Sequence, residues 1–129
     1  MTEIIQSYIV YAFQVVIALG LINVWLVRVH KPTEYRGGKA ANMIDEFRVY
    51  GLPIWFMFVV GSAKLLITLC MIIGFWIPAL VYPASAFLAM LMIGAIAMHI
   101  KVKDPFIRTV PALLMFLMAL ANVLLIKVF

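Results

Sequence analysis

The chain reads as an all-α integral membrane protein: a four-helix bundle with a short amphipathic interfacial helix between its first and second spans. Three observations predict this. Hydrophobic residues make up 67% of the 129 positions and charged residues 12%, with a mean hydropathy of +1.18, a balance foreign to ordinary soluble domains. The apolar residues fall into four runs, about 4–27, 52–73, 79–100 and 109–128. Each is long enough to cross a hydrocarbon layer of ~30 Å at ~1.5 Å per helical residue. Finally, most basic residues lie in two of the connections. The expectation is a single membrane domain over 1–129, with no internal repeat.

The first run carries no charge between Ile4 and Val27 and ends at Arg28, His30 and Lys31. Glu3 and the absence of a basic leading segment argue against a cleaved signal, so this span is expected to be retained. A polar stretch follows, with Pro32 and Gly37-Gly38 marking turns. Asn42 suits the cap of a short helix in which Met43, Ile44, Phe47 and Tyr50 share one side and Asp45, Glu46 and Arg48 the other. A solvated loop fits the same residues equally.

Pro53 suits the opening turn of the second span, and Gly74-Phe75-Trp76-Ile77-Pro78 breaks it, with Phe75 and Trp76 fitting an interfacial aromatic belt. So short a turn makes spans two and three antiparallel neighbours. Pro83 lies where it can kink the start of the third span, and Lys101 to Pro105 forms a short polar loop before the fourth.

Four spans put both termini on one face. The other face carries Arg28, Lys31, Arg36, Lys39, Arg48, Lys101, Lys103 and Arg108, whereas the termini carry Lys127 alone. The positive-inside rule then makes the loops cytoplasmic and both termini external in a cell membrane. The net charge of +5 is explained by this topology, and no basic patch interleaved with aromatics points to nucleic acid. The single cysteine, Cys70, excludes an intrachain disulfide and a Cys-rich metal site.

Lys64 stands apart. It lies roughly 15 to 18 Å from either end of its run, too deep to snorkel out comfortably. A lysine at that depth costs about 2.5 to 3.5 kcal/mol on insertion scales and is expected to face the bundle interior. On its helical stripe are Met57, Gly61, Thr68 and Met71. The first span contributes Ser7, Tyr11, Gln14 and Ala18, with Gln14 the expected partner of Lys64 at similar depth. The third contributes Ser85, Ala89, Met92 and His99, and the fourth Met115, Met118 and Asn122. Lys64, Gln14, Thr68, His99, Met57, Met92, Met115 and Asn122 therefore form a candidate pocket for a flexible lipophilic molecule such as a quinone, with methionines adapting around it. Plain bundle packing accounts for the same side chains, since polar groups in spans commonly hydrogen-bond between helices.

His30 and His99 end spans one and three on the same face. Two imidazoles without a cysteine or carboxylate motif at ligand spacing are a weak signature, so no metal ligand is assigned and haem is disfavoured. Asp104 either orients the His99 ring or caps the following turn. No nucleophile–base pair, phosphate loop or paired acid and base is visible, which argues against a self-contained enzyme.

Several of these residues, in this order, resemble those of the DoxX and DoxX-like small membrane proteins: Tyr50-Gly51 before Pro53, Gly61 three residues before Lys64, Gly94-Ala95 before His99, then Asp104 and Pro111-Ala112. The resemblance covers about residues 48 to 122. It implies a four-helix membrane bundle. It also implies kinship with subunits of a thiosulfate to quinone oxidoreductase and other membrane redox assemblies, and with a eukaryotic branch that assists receptor assembly. Many relatives carry an acidic residue at the position of Lys64, whereas the DoxX-like branch often has lysine.

Three functions stay open at this point. The leading one is a small accessory subunit that docks on a larger membrane complex, redox complexes included, or on copies of itself. The second is a quinone-linked oxidoreductase subunit with an intramembrane pocket. The third is a small transporter, for which an intramembrane charge is the pointer, although no discontinuous helix pair accompanies it.

Overall fold

A computed structural model describes residues 2–27, 40 and 42–128. Their regular structure is helical throughout. α1 (Thr2–Ile22) runs directly into a π-helical turn, Asn23–Val27. α2 (Met43–Val49) is short; α3 (Ile54–Ile73) follows an extended Pro53. A 3₁₀ turn, Pro78–Leu80, leads into α4 (Val81–Lys101), and α5 (Phe106–Val128) completes the chain. Four stretches, Ile4–Leu26, Ile54–Ile73, Pro78–Lys101 and Phe106–Ile126, are long and apolar enough to cross a membrane.

The fourth span opens at Phe106, three residues before the expected Thr109. The preceding loop explains the early start. Lys103 adopts a left-handed conformation (φ 58°) while its N–H bonds to Ile100 O and that of Asp104 to His99 O, closing the end of α4 as left-handed residues commonly do at helix C-termini. Pro105 then offers its carbonyl to Arg108 N at 3.0 Å, so the new helix begins at once. Pro111 sits inside α5, a placement spanning helices tolerate because neighbouring groups re-satisfy the freed backbone.

α2 is a helix, and its cap is the expected one. Asn42 Oδ1 accepts from Asp45 N at 2.8 Å. Met43, Phe47 and Tyr50 are buried while Arg48 and Val49 are exposed, so the seven-residue amphipathic pattern decides the fold of this segment.

The spans form a ring. α1 packs against α3 and α5, and α4 against α3 and α5, the α4–α5 interface being the most extensive. Around Ile17, Met71, Leu88 and Ala119 the bundle is fully closed. Gln14 lies in this closed half, 1% exposed, and donates from Nε2 to Met71 O at 3.1 Å. The reason is local. α3 ends at Ile73, where Gly74 N bonds Cys70 O and Phe75 N bonds Ile72 O, leaving Met71 O among the last carbonyls that no following turn satisfies. Gln14 supplies the missing donor. Nearby, Asn122 Nδ2 of α5 donates to Ser85 Oγ of α4 at 3.3 Å.

Candidate functional site

Toward the end of the bundle that carries α2, the helices enclose a cavity of about 1030 Å³, at the upper end of the range for small-molecule sites. All five helices contribute to its wall. α3 presents Phe56, Val60 and Lys64, spaced one turn apart along a single face, and Leu52 lines the wall just before the helix begins. Met90, Met92 and Met98 of α4 and Met115 and Met118 of α5 line the opposite helices, and Trp25, Phe47 and Tyr50 close the α2 end.

Lys64 is placed by a glycine. Trp25 lies against Gly61 so closely that a Cβ there would stand 2.7 Å from its ring. One turn on, Lys64 Nζ lies 5.2 Å from the Trp25 ring centroid, within reach of a cation–π attraction. Phe47 of α2 meets the same indole edge-on, with centroids 6.3 Å apart. Glu46, also on the cavity wall, is close enough for its charge to act on Lys64. The Lys64 ammonium has no hydrogen-bond partner among the described residues. Among those residues its donors are unspent.

A second polar group enters from α4. His99 Nδ1 lies 2.8 Å from Asp104 Oδ2, and Arg108 Nη1 donates to Asp104 Oδ1 at 2.9 Å. The His99 and Asp104 side chains are 7% and 3% exposed, so the loop carboxylate orients the ring, the first of the two roles open to it from the sequence. The His99 ring also meets Tyr50 edge-on at 5.9 Å. Tyr50 Oη in turn donates to Glu46 Oε1 at 2.6 Å, and Lys101 Nζ donates to Tyr50 O at 2.8 Å. The contacts of Tyr50 with His99 and Lys101 fasten the end of α2 to the last turn of α4.

The cavity brings together Lys64, His99, Met92 and Met115 from the residues expected of a pocket. The other four lie elsewhere. Thr68 Oγ1 donates to Lys64 O at 2.9 Å within its own helix. Met57 packs with Trp25, Met43 and Phe47, which line the cavity, but is not itself part of the lining. Asn122 bonds Ser85, and Gln14 caps α3.

Gln14 is therefore not the partner of Lys64. The antiparallel register pairs Tyr11 with Phe75, Gln14 with Met71 and Trp25 with Gly61, which sets Lys64 opposite the last turn of α1. Matching the midpoints of two hydrophobic runs misplaces the register, because the first run extends through the π-helical turn. His30 and the basic residues Arg28, Lys31, Arg36 and Lys39 lie outside the described residues.

Trp25, Glu46, Tyr50 and Arg108 were missing from the expected set. Trp25 was recoverable: it follows Gln14 by eleven residues, three helical turns, and so continues the stripe through Ala18. Arg108 sits one turn beyond Asp104, a favourable ion-pair spacing. Glu46 reads from sequence as the polar side of a surface helix, and only the tertiary fold turns it toward the cavity.

A model of the DoxX-like family matches residues 36–121, a stretch containing Lys64, Glu46, His99, Asp104 and Arg108 but neither Gln14 nor Trp25. No curated protein and no solved structure matches the chain.

Proposed function

This chain belongs to the DoxX-like family, and from that premise we propose that it is a small membrane subunit whose cavity holds a flexible lipophilic molecule with an oxygen-bearing head group, a quinone being the representative case. The observation that carries this reading is an unspent lysine ammonium on the wall of a methionine- and aromatic-lined cavity between membrane-spanning helices. Lys64 donates to the head-group oxygen. The methionines accept an irregular tail, since their unbranched side chains repack at little cost. The termini are external and the basic connections cytoplasmic.

Service to a larger membrane complex is the second part of the proposal. The polar groups of the cavity wall, Lys64 and His99 among them, are used in this reading to bind and orient the molecule.

Gentle detergent purification from the native membrane tests both parts in one sample. The expected result is a lipophilic molecule extracted at close to one per chain, and a co-purifying membrane protein. A chain that arrives with a partner but yields lipid alone leaves accessory docking and removes the ligand.

A further inference from the structure

We propose that the molecule in the cavity is held in its reduced, hydroxyl-bearing form: a lipophilic hydroquinone in preference to the quinone. This rests on the ligand-binding reading above and adds the chemistry of the head group.

The argument begins at Asp104. Its carboxylate accepts at both oxygens, from Arg108 at Oδ1 and from His99 at Oδ2. A carboxylate held by a guanidinium has no hydrogen to give, so the hydrogen of that contact sits on His99 Nδ1. In the neutral imidazole the other nitrogen, Nε2, then carries a lone pair and acts as an acceptor. Nε2 has no hydrogen-bond partner among the described residues, the contacts of this side chain being the Asp104 bond and the Tyr50 ring. Nor is it sealed in the interior like Trp25 Nε1, which is buried without a partner among the described residues. His99 belongs to the cavity wall, and its side chain is 7% exposed.

Among the described residues, the cavity wall thus carries two unspent groups of opposite kind. Lys64 on α3 only donates. The neutral ring of His99 on α4, with Nδ1 committed to Asp104, accepts at Nε2. A quinone head has two carbonyl acceptors and satisfies Lys64 while confronting His99 with a second lone pair. A hydroquinone hydroxyl accepts from Lys64 through its oxygen and, at the other end of the ring, donates to Nε2. The aromatic wall formed by Trp25, Phe47, Tyr50 and Phe56 suits a planar ring in offset or edge contact. Binding the reduced form more tightly is selection by hydrogen-bond polarity, and it requires no electron transfer by this chain.

The test uses the full-length protein in detergent micelles, kept anaerobic near pH 7.5, and measures Kd for three probes: a decyl-substituted hydroquinone, the corresponding quinone and the hydroquinone dimethyl ether. The hydroquinone is expected to bind about tenfold or more tightly than either of the others, the margin of one buried acceptor paired or left unpaired. His99→Phe should bring the three affinities together, whereas His99→Gln, which retains an acceptor oxygen, should restore part of the preference. Equal affinity for quinone and hydroquinone in the unaltered protein overturns the inference while leaving the cavity a binding site, and this comparison needs no variant to fold. A preference that persists in His99→Phe also overturns it. If none of the three probes binds, the ligand-binding reading itself fails.

Discussion

A single missing Cβ sets the position of the charge that defines this cavity. At Gly61 a methyl group would press into the Trp25 ring at 2.7 and 2.9 Å, so Gly61→Ala is expected to displace the indole from beneath Lys64 and cost about 1–3 kcal/mol by overpacking. Gly94, on the cavity wall of α4, offers the control: a Cβ there meets nothing within 4 Å, and Gly94→Ala should be neutral or stabilise by up to ~1 kcal/mol through helix propensity. Thermal unfolding in one detergent distinguishes the pair, and similar losses at both sites would contradict the proposed packing. Gln14 and Lys64 give a second residue-scale test. Gln14→Leu leaves Met71 O without its donor, at about 1–3 kcal/mol. Its effect should add to that of Lys64→Leu within ~0.5 kcal/mol, because the two share no partner. Substantial coupling would restore the direct pairing that the register rules out. Lys64 was legible from sequence because a charge at mid-depth in an apolar run admits few explanations. Trp25 was not singled out, because a tryptophan near a span end also reads as an interfacial anchor.

At the scale of elements, α2 is tied to the last turn of α4 through the contacts of Tyr50 with His99 and Lys101. α2 is only seven residues long, too short to persist on propensity alone, so its cap and its buried side hold it. Asn42→Ala removes the bond to Asp45 N and should cost ~1 kcal/mol. Hydrogen exchange is expected to quicken across residues 43–50 and to stay unchanged in α4; uniform loosening would mean that α2 is not a separate unit. The short helix and the four spans were readable in advance because each has its own period and cap. What escaped was the register between elements. Whether Gln14 faces Met71 or Lys64 depends on where α1 ends, and a π-helical turn leaves no mark in hydrophobic periodicity. The early start of α5 was hidden for a similar reason: it follows from a left-handed Lys103, a conformation that lysine seldom adopts.

For the whole molecule, the closed and open halves of the bundle divide the polar residues by role. Gln14, Ser85 and Asn122 hold helices together in the closed half, whereas Lys64 and His99 keep hydrogen-bonding capacity in the open one. The sequence grouped these residues as one pocket because helical stripes run the length of a span. Only the fold separates the stripe into a packed part and a cavity. Orientation is a further property of the whole chain. With Cys70 replaced by Ala, a cysteine at Ser7 should react with an impermeant thiol reagent from outside the cell and one at Lys39 only after permeabilisation; the reverse pattern would invert the topology.

The central claim, that the cavity binds a lipophilic molecule through Lys64, is tested most directly by comparing the affinity of the purified protein and its Lys64→Leu variant for a decyl hydroquinone. Removing a charge from mid-depth should leave insertion intact or improve it, so the variant should be recoverable in folded form. Saturable binding in the unaltered protein, weakened at least tenfold in Lys64→Leu at undiminished thermal stability, is the predicted result. Equal affinity in the two proteins would contradict the role given to Lys64, and binding by neither would show that the cavity is not a site for such molecules.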